Sequence, residues 1–372
     1  MTAQKREARM SDRKLKVGLI GCGRFAEPGH AVYYKVNPRC EFAAVCDSNI
    51  DAAKALARKY GVPRAFDDAE RMLDESALDA VSVCTPTFTH AALVEAAASR
   101  GVHVLCEKPF SASVDDARRM ISACENNNVR LHVGFHMRYD RGLIRTRDLI
   151  ADKTYGDCFH AEFRWRGLTT MGNVPIVNKG LSLAKLLGFS TEKFSPDWRL
   201  RDPRIPGGVL EVFCHLIDLA LWIFGEPDKV EGHARAVSPD AEKPELAVAL
   251  FKYDSGPSVY LTMSSRTLSL WESHEGRFSM TGGNLSYDTN SQKQAGMPAR
   301  VTVETDSGLM GTRRSLPPSL DSRPAHNLPH YHKIDNFILD ALGELPDEED
   351  RLVARGKDGL AVDAIIREIM EG

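Results

Sequence analysis

Hydrophobic positions in the first third of the chain fall into short unbroken runs. LKVGLI at 15–20, CEFAAVC at 40–46, DAVSVC at 79–84, VHVLC at 102–106 and VRLHVGF at 129–135 each have the length of a strand. They are apolar on both faces, as parallel strands covered by helices must be. Between them lie stretches of helical spacing: DAAKALARKY at 51–60, HAALVEAAASR at 90–100, and SVDDARRMISACENNN from Ser113. Gly61 and Gly101 follow the first two, where a helix is expected to stop. Strand and helix alternating through short connections predict an open, doubly wound parallel sheet, which takes ligands outside the carboxyl ends of its strands.

Beyond about residue 150 the texture changes. DCFHAEFRWRG (157–167), VEGHARAVS (230–238), ELAVALFKYD (245–254), PSVYLTMSSR (257–266), EGRFSMTG (275–282) and ARVTVETD (299–306) read as strands separated by turn residues. This pattern predicts an α+β region built on a large, open, mainly antiparallel sheet. One strong helix interrupts it, GGVLEVFCHLIDLALWIFG at 207–225, and two close the chain. In the first of these, Ile334, Phe337, Ile338, Ala341 and Leu342 recur at helical spacing; the second is LAVDAIIREIM at 360–370. Leu168–Pro206 has little periodicity and reads as loop-rich.

Composition narrows the class. The 372 residues are 43% hydrophobic and 27% charged, a globular balance, and the length suggests two domains. A net charge of −3 carries no footprint for nucleic acid, and no apolar run approaches a membrane span. The basic start MTAQKREARMSDRKLK lacks the apolar core of a secretory signal and reads as a frayed tail over 1–13, with Met10 as a second possible start. None of the eight cysteines forms a CxxC pair, so no zinc pattern or disulfide framework is expected, and a reducing cytoplasm fits. His326, His330 and His332 look metal-like in composition but lack nearby acids or cysteines; no metal is expected.

The candidate chemistry sits at strand ends. After the first strand comes Gly21-Cys22-Gly23-Arg24-Phe25-Ala26, a G-x-G-x-x-A turn opening a helix. Glycines permit the tight turn and close approach to a pyrophosphate, and the small Ala lets the helix pack on the sheet. Asp47 ends the second strand, 26 residues after Gly21. An acid there can bind both ribose hydroxyls and repels a 2′-phosphate, favouring NAD; Arg24 leaves NADP possible. The same acid could instead cap the next helix, where Ser48 and Asn49 also offer capping groups. The third strand ends in Thr85-Pro86-Thr87-Phe88-Thr89-His90 and the fourth in Glu107-Lys108-Pro109. A further run reads Gly134-Phe135-His136-Met137-Arg138-Tyr139-Asp140, and the apolar 207–225 helix carries Gly207, Gly208, Glu211, His215 and Asp218. Glu211 and His215 stand one turn apart and share a face, with Asp218 three residues on, where it could orient the ring.

This ordered set resembles the Gfo/Idh/MocA oxidoreductases from about residue 14 to the end of the chain. The family has Asp where Glu211 stands, so the carboxylate here reaches one methylene further, and Phe213 occupies a position that is often Gly. The resemblance implies an NAD(P)-binding Rossmann domain over 14–150 and a substrate and oligomerisation domain over 151–372. It implies that Thr85, Pro86, His90, Glu107 and Lys108 join the Gly21–Ala26 turn and Asp47 around the cofactor, with Glu107 near the nicotinamide. It places Lys108 on the substrate oxygen, where its charge stabilises a developing alkoxide, and Pro109 after a cis peptide. His215 becomes the general acid/base, and Glu211 positions the substrate or tunes the ring. A buried histidine on so apolar a helix is otherwise a core residue, and that reading stays open. Arg138, Trp198 and Arg199 are further candidates for substrate contact; the arginines of Trp198–Arg204 could equally make subunit salt bridges.

The implied activity is hydride transfer between a polyol carbinol (a sugar, inositol or sugar derivative) and nicotinamide, in a homodimer or homotetramer formed through the C-terminal sheet. Two alternatives remain: an NAD-retaining glycosidase that oxidises its sugar transiently, and a dinucleotide-sensing regulator without catalysis, which would need neither Lys108 nor His215.

Overall fold

A computed structural model describes residues 14–166, 204, 207, 209–239, 241–265, 273–289, 297–305, 312–316 and 328–371. Two compact units emerge: the chain up to Gly134 together with His330–Leu360, and Phe135–Pro329 together with Ala361–Gly372.

The first unit is a six-stranded parallel sheet, ordered β3-β2-β1-β4-β5-β6. Its strands are β1 (Leu15–Ile20), β2 (Cys40–Cys46), β3 (Arg64–Phe66), β4 (Ala80–Val83), β5 (His103–Cys106) and β6 (Leu131–Val133). The order reverses between β1 and β4, which opens the ligand crevice of such sheets at that point. The helix expected after the glycine turn begins as a π-helical turn, Glu27–Ala31, and runs into α1 (Val32–Val36). Asn49, not Asp47, caps α2 (Ile50–Tyr60), accepting from Asp51 N and Ala52 N, and Gly61 closes it in a left-handed conformation. β3 and α3 (Ala69–Glu75) have no counterpart in the sequence reading: β3 buries only Phe66 and α3 only Met72 and Leu73, too little apolar signal for a period to show. α4 (His90–Ala98) and α5 (Val114–Asn126), capped by Ser113, complete the expected alternation.

The returning chain adds α7 (Pro329–Leu342), α8 (Asp347–Asp350) and the start of α9 (Gly356–Glu371) to this unit. It is tied in by charge as well as packing. His132 Nε2 lies 2.7 Å from Asp340 Oδ2, and Arg355 Nη1 donates to the same oxygen at 2.9 Å. Val133 N donates to Ala354 O.

The second unit is an eight-stranded sheet, ordered β14-β13-β12-β11-β7-β10-β9-β8. Its strands are β7 (Cys158–Arg166), β8 (Lys229–Arg235), β9 (Leu246–Lys252), β10 (Ser258–Ser264), β11 (Ser273–Met280), β12 (Gly283–Asp288), β13 (Arg300–Thr305) and β14 (Thr312–Leu316). Pairing is antiparallel except between β7 and β10. Alternation is clear along the central strands: Ala161 and Phe163 point inward with Val259, Leu261 and Met263. Two further helices belong here: α6 (Arg141–Ala151), capped by Asp140, and the Leu210–Phe224 helix, which packs on β7 and β10. That apolar helix starts later than the 207–225 reading, because Gly207 takes a φ of +99°.

Candidate active site

In the first unit, β1 delivers the chain to Gly21 at a φ of +92°. A Cβ there would stand 2.6 Å from the carbonyl oxygen of Cys84 at the end of β4, so only glycine fits. Gly23 has nothing within 4 Å of its Cβ position, which leaves that face of the turn open. Cys22 N donates to Asp47 Oδ2 at 2.7 Å and Asn49 N to Oδ1 at 2.9 Å. Asp47 therefore braces the turn, while each carboxylate oxygen keeps a second lone pair for a ribose hydroxyl. Arg24 is exposed, Phe25 half-buried and Ala26 buried. A cradle that a Cβ would fill, an open glycine face and an acid at the second strand end together fit a dinucleotide.

The ends of β4 and β5 carry the next group. Thr85 and Pro86 are half-buried, with the Thr85 hydroxyl 2.7 Å from that of Thr89. His90 is fully enclosed; its Nδ1 lies 3.1 Å from Phe110 O and its Nε2 3.0 Å from Thr85 O. Burial lowers its pKa. His90 thus pins the two strand-end loops together, rather than offering its ring at a surface. The Lys108–Pro109 peptide is cis, as expected, and Lys108 is half-buried.

Glu107 is buried within a polar chain. Its Oε1 accepts from Lys333 Nζ at 2.7 Å and lies 2.8 Å from His30 Nε2; Lys108 N stands 3.3 Å from Oε2. His30 Nδ1 lies 2.9 Å from Ser82 Oγ, which is 2.6 Å from Tyr34 OH. Burial alone would raise the Glu107 carboxyl, but Lys333 and His30 outweigh it and hold it well below the usual carboxylate range. Burial, and then the Lys333 charge, lowers His30 to about 4, so its ring is neutral. A neutral ring protonated on Nε2 gives three of these contacts a donor and an acceptor: Tyr34 to Ser82, Ser82 to His30, His30 to Glu107; Lys333 Nζ, 3.2 Å from the same Nε2, then serves Glu107 rather than the ring.

In the second unit, Glu211 and His215 share a face of the Leu210–Phe224 helix, with Glu211 half-buried and His215 buried. The His215 ring stacks on Trp165 of β7, with centroids 5.9 Å apart, and meets the edge of His136 at 4.9 Å. Trp165 also packs against His274, whose Nε2 is 3.1 Å from Tyr287 OH. Burial first, and then the His136 charge, lowers His274 to about 3. Asp218, expected to orient His215, receives Arg138 Nε at 3.0 Å and Nη2 at 2.6 Å. Arg138, expected at the substrate, is itself buried in this pair, which fastens the His136–Tyr139 turn to the helix carrying His215.

Residues 15–135 match the family described as "Oxidoreductase family, NAD-binding Rossmann fold", and residues 143–287 match the "GFO/IDH/MocA C-terminal domain". The chain belongs to the Gfo/Idh/MocA oxidoreductase family. It is 26% identical over 260 residues to the D-apiose dehydrogenase of Rhizobium rhizogenes, across 69% of this chain and 68% of that protein. It is 29% identical over 271 residues to the D-xylose 1-dehydrogenase (NADP(+)) 2 of Haloferax volcanii, across 73% of this chain and 75% of that one. The fold is similar to that of a levoglucosan dehydrogenase solved with NADH and levoglucosan: TM-score 0.78, 18% identity, 96% of this chain and 97% of that chain. Among such curated relatives the chain spans 42–75% of their length.

A Gfo/Idh/MocA enzyme of this kind uses NAD or NADP, and the Gly21–Ala26 turn and Asp47 are the residues that fit the dinucleotide. Of the expected site residues, Trp198, Arg199 and Gly208 lie outside the described residues, as does His326. His330 packs its ring against Phe25 and Tyr33, and among the described residues no His, Cys, Asp or Glu cluster of metal-binding form occurs. No helix of the described residues is long and apolar enough to cross a membrane. Sequence reasoning missed His30, Lys333, Trp165, His274 and Tyr287. Strand alternation placed Trp165 on the face of Ala161 and Phe163, which was a usable signal; nothing linked His30 to Lys333.

Proposed function

We propose that this Gfo/Idh/MocA oxidoreductase transfers a hydride between a sugar or polyol carbinol and nicotinamide, with Lys108 polarising the oxygen and His215 exchanging its proton. The observation that carries this reading is the position of Lys108. It follows β5 at the same sheet edge that holds the Gly21–Ala26 turn after β1. Its neighbour Glu107 is already matched by Lys333, so the two adjacent charges have separate partners to serve. Bound nicotinamide supplies the hydride acceptor or donor. Lys108 holds the substrate oxygen and stabilises negative charge as the proton leaves. His215 accepts that proton in oxidation and returns it in reduction, with Glu211 one turn away positioning the substrate or the ring. Arg138 and Asp218 keep the His136 turn against the His215 helix. The dehydrogenases named above act on apiose, xylose and levoglucosan by their names, which favours a sugar or sugar derivative.

Lys108→Met and His215→Ala should each lower kcat by roughly 10²–10⁴-fold, with dinucleotide affinity nearly unchanged. Nicotinamide absorbance over a panel of aldoses, inositols and glucosides, with cofactor titration by fluorescence, measures both. Full turnover by His215→Ala would return that ring to the core. Asp47 favours NAD: kcat/KM should be higher with NAD than with NADP, and equal use of the two would remove the argument from Asp47.

A further inference from the structure

The segment that follows the glycine turn is poorly suited to a helix. Pro28 and Gly29 are the two poorest helix formers, and Val32, Tyr33, Tyr34 and Val36 lose side-chain freedom on a helix. What forms is a π-helical turn over Glu27–Ala31 and the five residues of α1. So short a helix does not hold itself in water. Yet the Gly21–Ala26 turn runs straight into it: Ala26 N donates to Gly23 O at 3.1 Å, and Gly29 N to Phe25 O at 2.9 Å. Whatever fixes this segment also fixes the turn.

α7 supplies contacts along the whole segment. His330 meets the Phe25 ring edge-on, with centroids 5.4 Å apart, and stacks on Tyr33 at 6.3 Å. Tyr331 meets the edge of Tyr33 at 6.3 Å. Lys333 Nζ lies 5.7 Å from the Phe25 ring centroid and 3.2 Å from His30 Nε2. Asn37 Nδ2 donates to Asp335 Oδ1 at 2.8 Å, and Arg39 pairs with Glu344 just beyond α7. The place of α7 is itself fixed by Lys333, which donates to Glu107 Oε1 at 2.7 Å after β5. Both members of that pair are buried, so sliding α7 by one turn would strand two charges.

Phe25 is the point where these contacts reach the glycine turn. Its half-buried ring lies on Gly29, where a Cβ would stand 2.6 Å from Cε1. The ring of His330, also half-buried, comes to it from a helix more than three hundred residues away. We propose that His330 is a positioning residue of the dinucleotide site: seated by Lys333, it holds the Phe25 ring against Gly29 and so keeps the Gly21–Ala26 turn in its cofactor-accepting shape before the cofactor arrives. This rests on the reading of that turn as the dinucleotide cradle. A turn formed only part of the time binds more weakly in proportion to that fraction.

The test uses ADP-ribose, which carries the pyrophosphate and both riboses without nicotinamide, so no substrate or chemistry enters. In His330→Ala its Kd should rise about three- to tenfold, the effect of one aromatic contact expressed as an equilibrium. His330→Phe, which keeps an aromatic ring there, should restore affinity to within about twofold of wild type. In a Phe25→Ala background His330→Ala should cost less than about twofold more, since its effect passes through that ring.

A second readout needs no ligand. Cys22 lies half-buried in the turn. In the apoprotein its alkylation by iodoacetamide, located by peptide mass, should quicken about three- to tenfold in His330→Ala, because the turn opens more often. The buried Cys124 of α5 should keep its rate. Wild-type affinity in His330→Ala overturns the proposal. So does weakened binding with Cys22 labelled at the wild-type rate, which would make His330 a direct contact of the ligand. Failure of His330→Phe to restore binding, or full additivity with Phe25→Ala, overturns it as well. His330→Leu replaces His330→Ala if that variant is insoluble; insolubility of both would make His330 a core residue and end the proposal. Wild-type ADP-ribose affinity in Gly21→Val would remove the cradle reading and the proposal with it, whereas weak binding by Gly21→Val beside wild-type binding by His330→Ala would overturn the proposal alone.

Discussion

Two buried histidines give the protein a signed response to acid. His30 is lowered to about 4 and His274 to about 3, each mainly by burial, against an unfolded value of about 6.5. Between those limits the unfolded chain binds more protons than the folded one. Stability should then fall as pH drops from about 6.5 toward 4, by up to about 1.4 kcal/mol per pH unit for each ring. Urea unfolding at pH 7 and pH 5 measures this, and His274→Gln should flatten the slope; equal stability at both pH values would contradict it. Glu107 adds to this fall only at the lower end of the window: its carboxyl is held well below the usual range in the folded protein, so the unfolded chain takes up that proton first as pH drops past about 5. At this scale the sequence was legible where a residue's place in the chain limits its role: Asp47 and Lys108 end apolar runs, and His215 follows Glu211 by one turn. It was illegible where a partner is distant. Lys333 looked like one polar position on an amphipathic helix, and its contacts with Glu107 and His30 span 226 and 303 residues.

Elements were readable in proportion to the apolar area they bury. β1, β2, β4 and β5 are buried nearly throughout and announced themselves as continuous runs. β3, β12 and β14 did not: β3 has three residues, β12 sets only Leu285 and Tyr287 inward among polar residues, and β14 is mostly exposed. The pairing of β14 comes from the neighbouring strand's unmet backbone groups rather than from its own side chains. β11 shows how a strand interior depends on one absent methyl. A Cβ on Gly276 would lie 2.2 Å from Tyr287 Cε1, and Tyr287 is its register partner, buried, with its hydroxyl against His274. Gly276→Ala should cost about 1–3 kcal/mol through this overpacking. A urea midpoint for Gly276→Ala within error of the wild type would mean that the ring yields freely. Glycine in a strand pattern signals such a close approach, but not which residue makes it.

For the whole molecule, the large sheet poses a question of cover. The face of β7, β10 and β11 opposite the Leu210–Phe224 helix presents His160, Glu162, Arg164, Tyr260, Glu275 and Arg277. Tyr260 is 45% exposed with the His160 ring beside it, and Arg166 and Arg164 share Glu275. An aromatic residue among paired charges on a broad sheet suits a second copy of the same surface. Light scattering should report a homo-oligomer, and Tyr260→Glu should shift it toward the monomer; a wild-type monomer at micromolar concentration would end this expectation.

The return of α7 to the first unit also has a consequence for how the chain is made. Asp340, which holds His132, and Lys333, which matches Glu107, are synthesised long after the six strands they complete. At about 5–20 residues per second, a ribosome needs roughly 10–45 seconds to go from Gly134 to Leu360. Throughout that interval the nascent sheet carries a glutamate and two histidines shaped for charges that do not yet exist. The Rossmann half can therefore collapse early but mature only last, once the second unit's strands have emerged and the chain has come back to it.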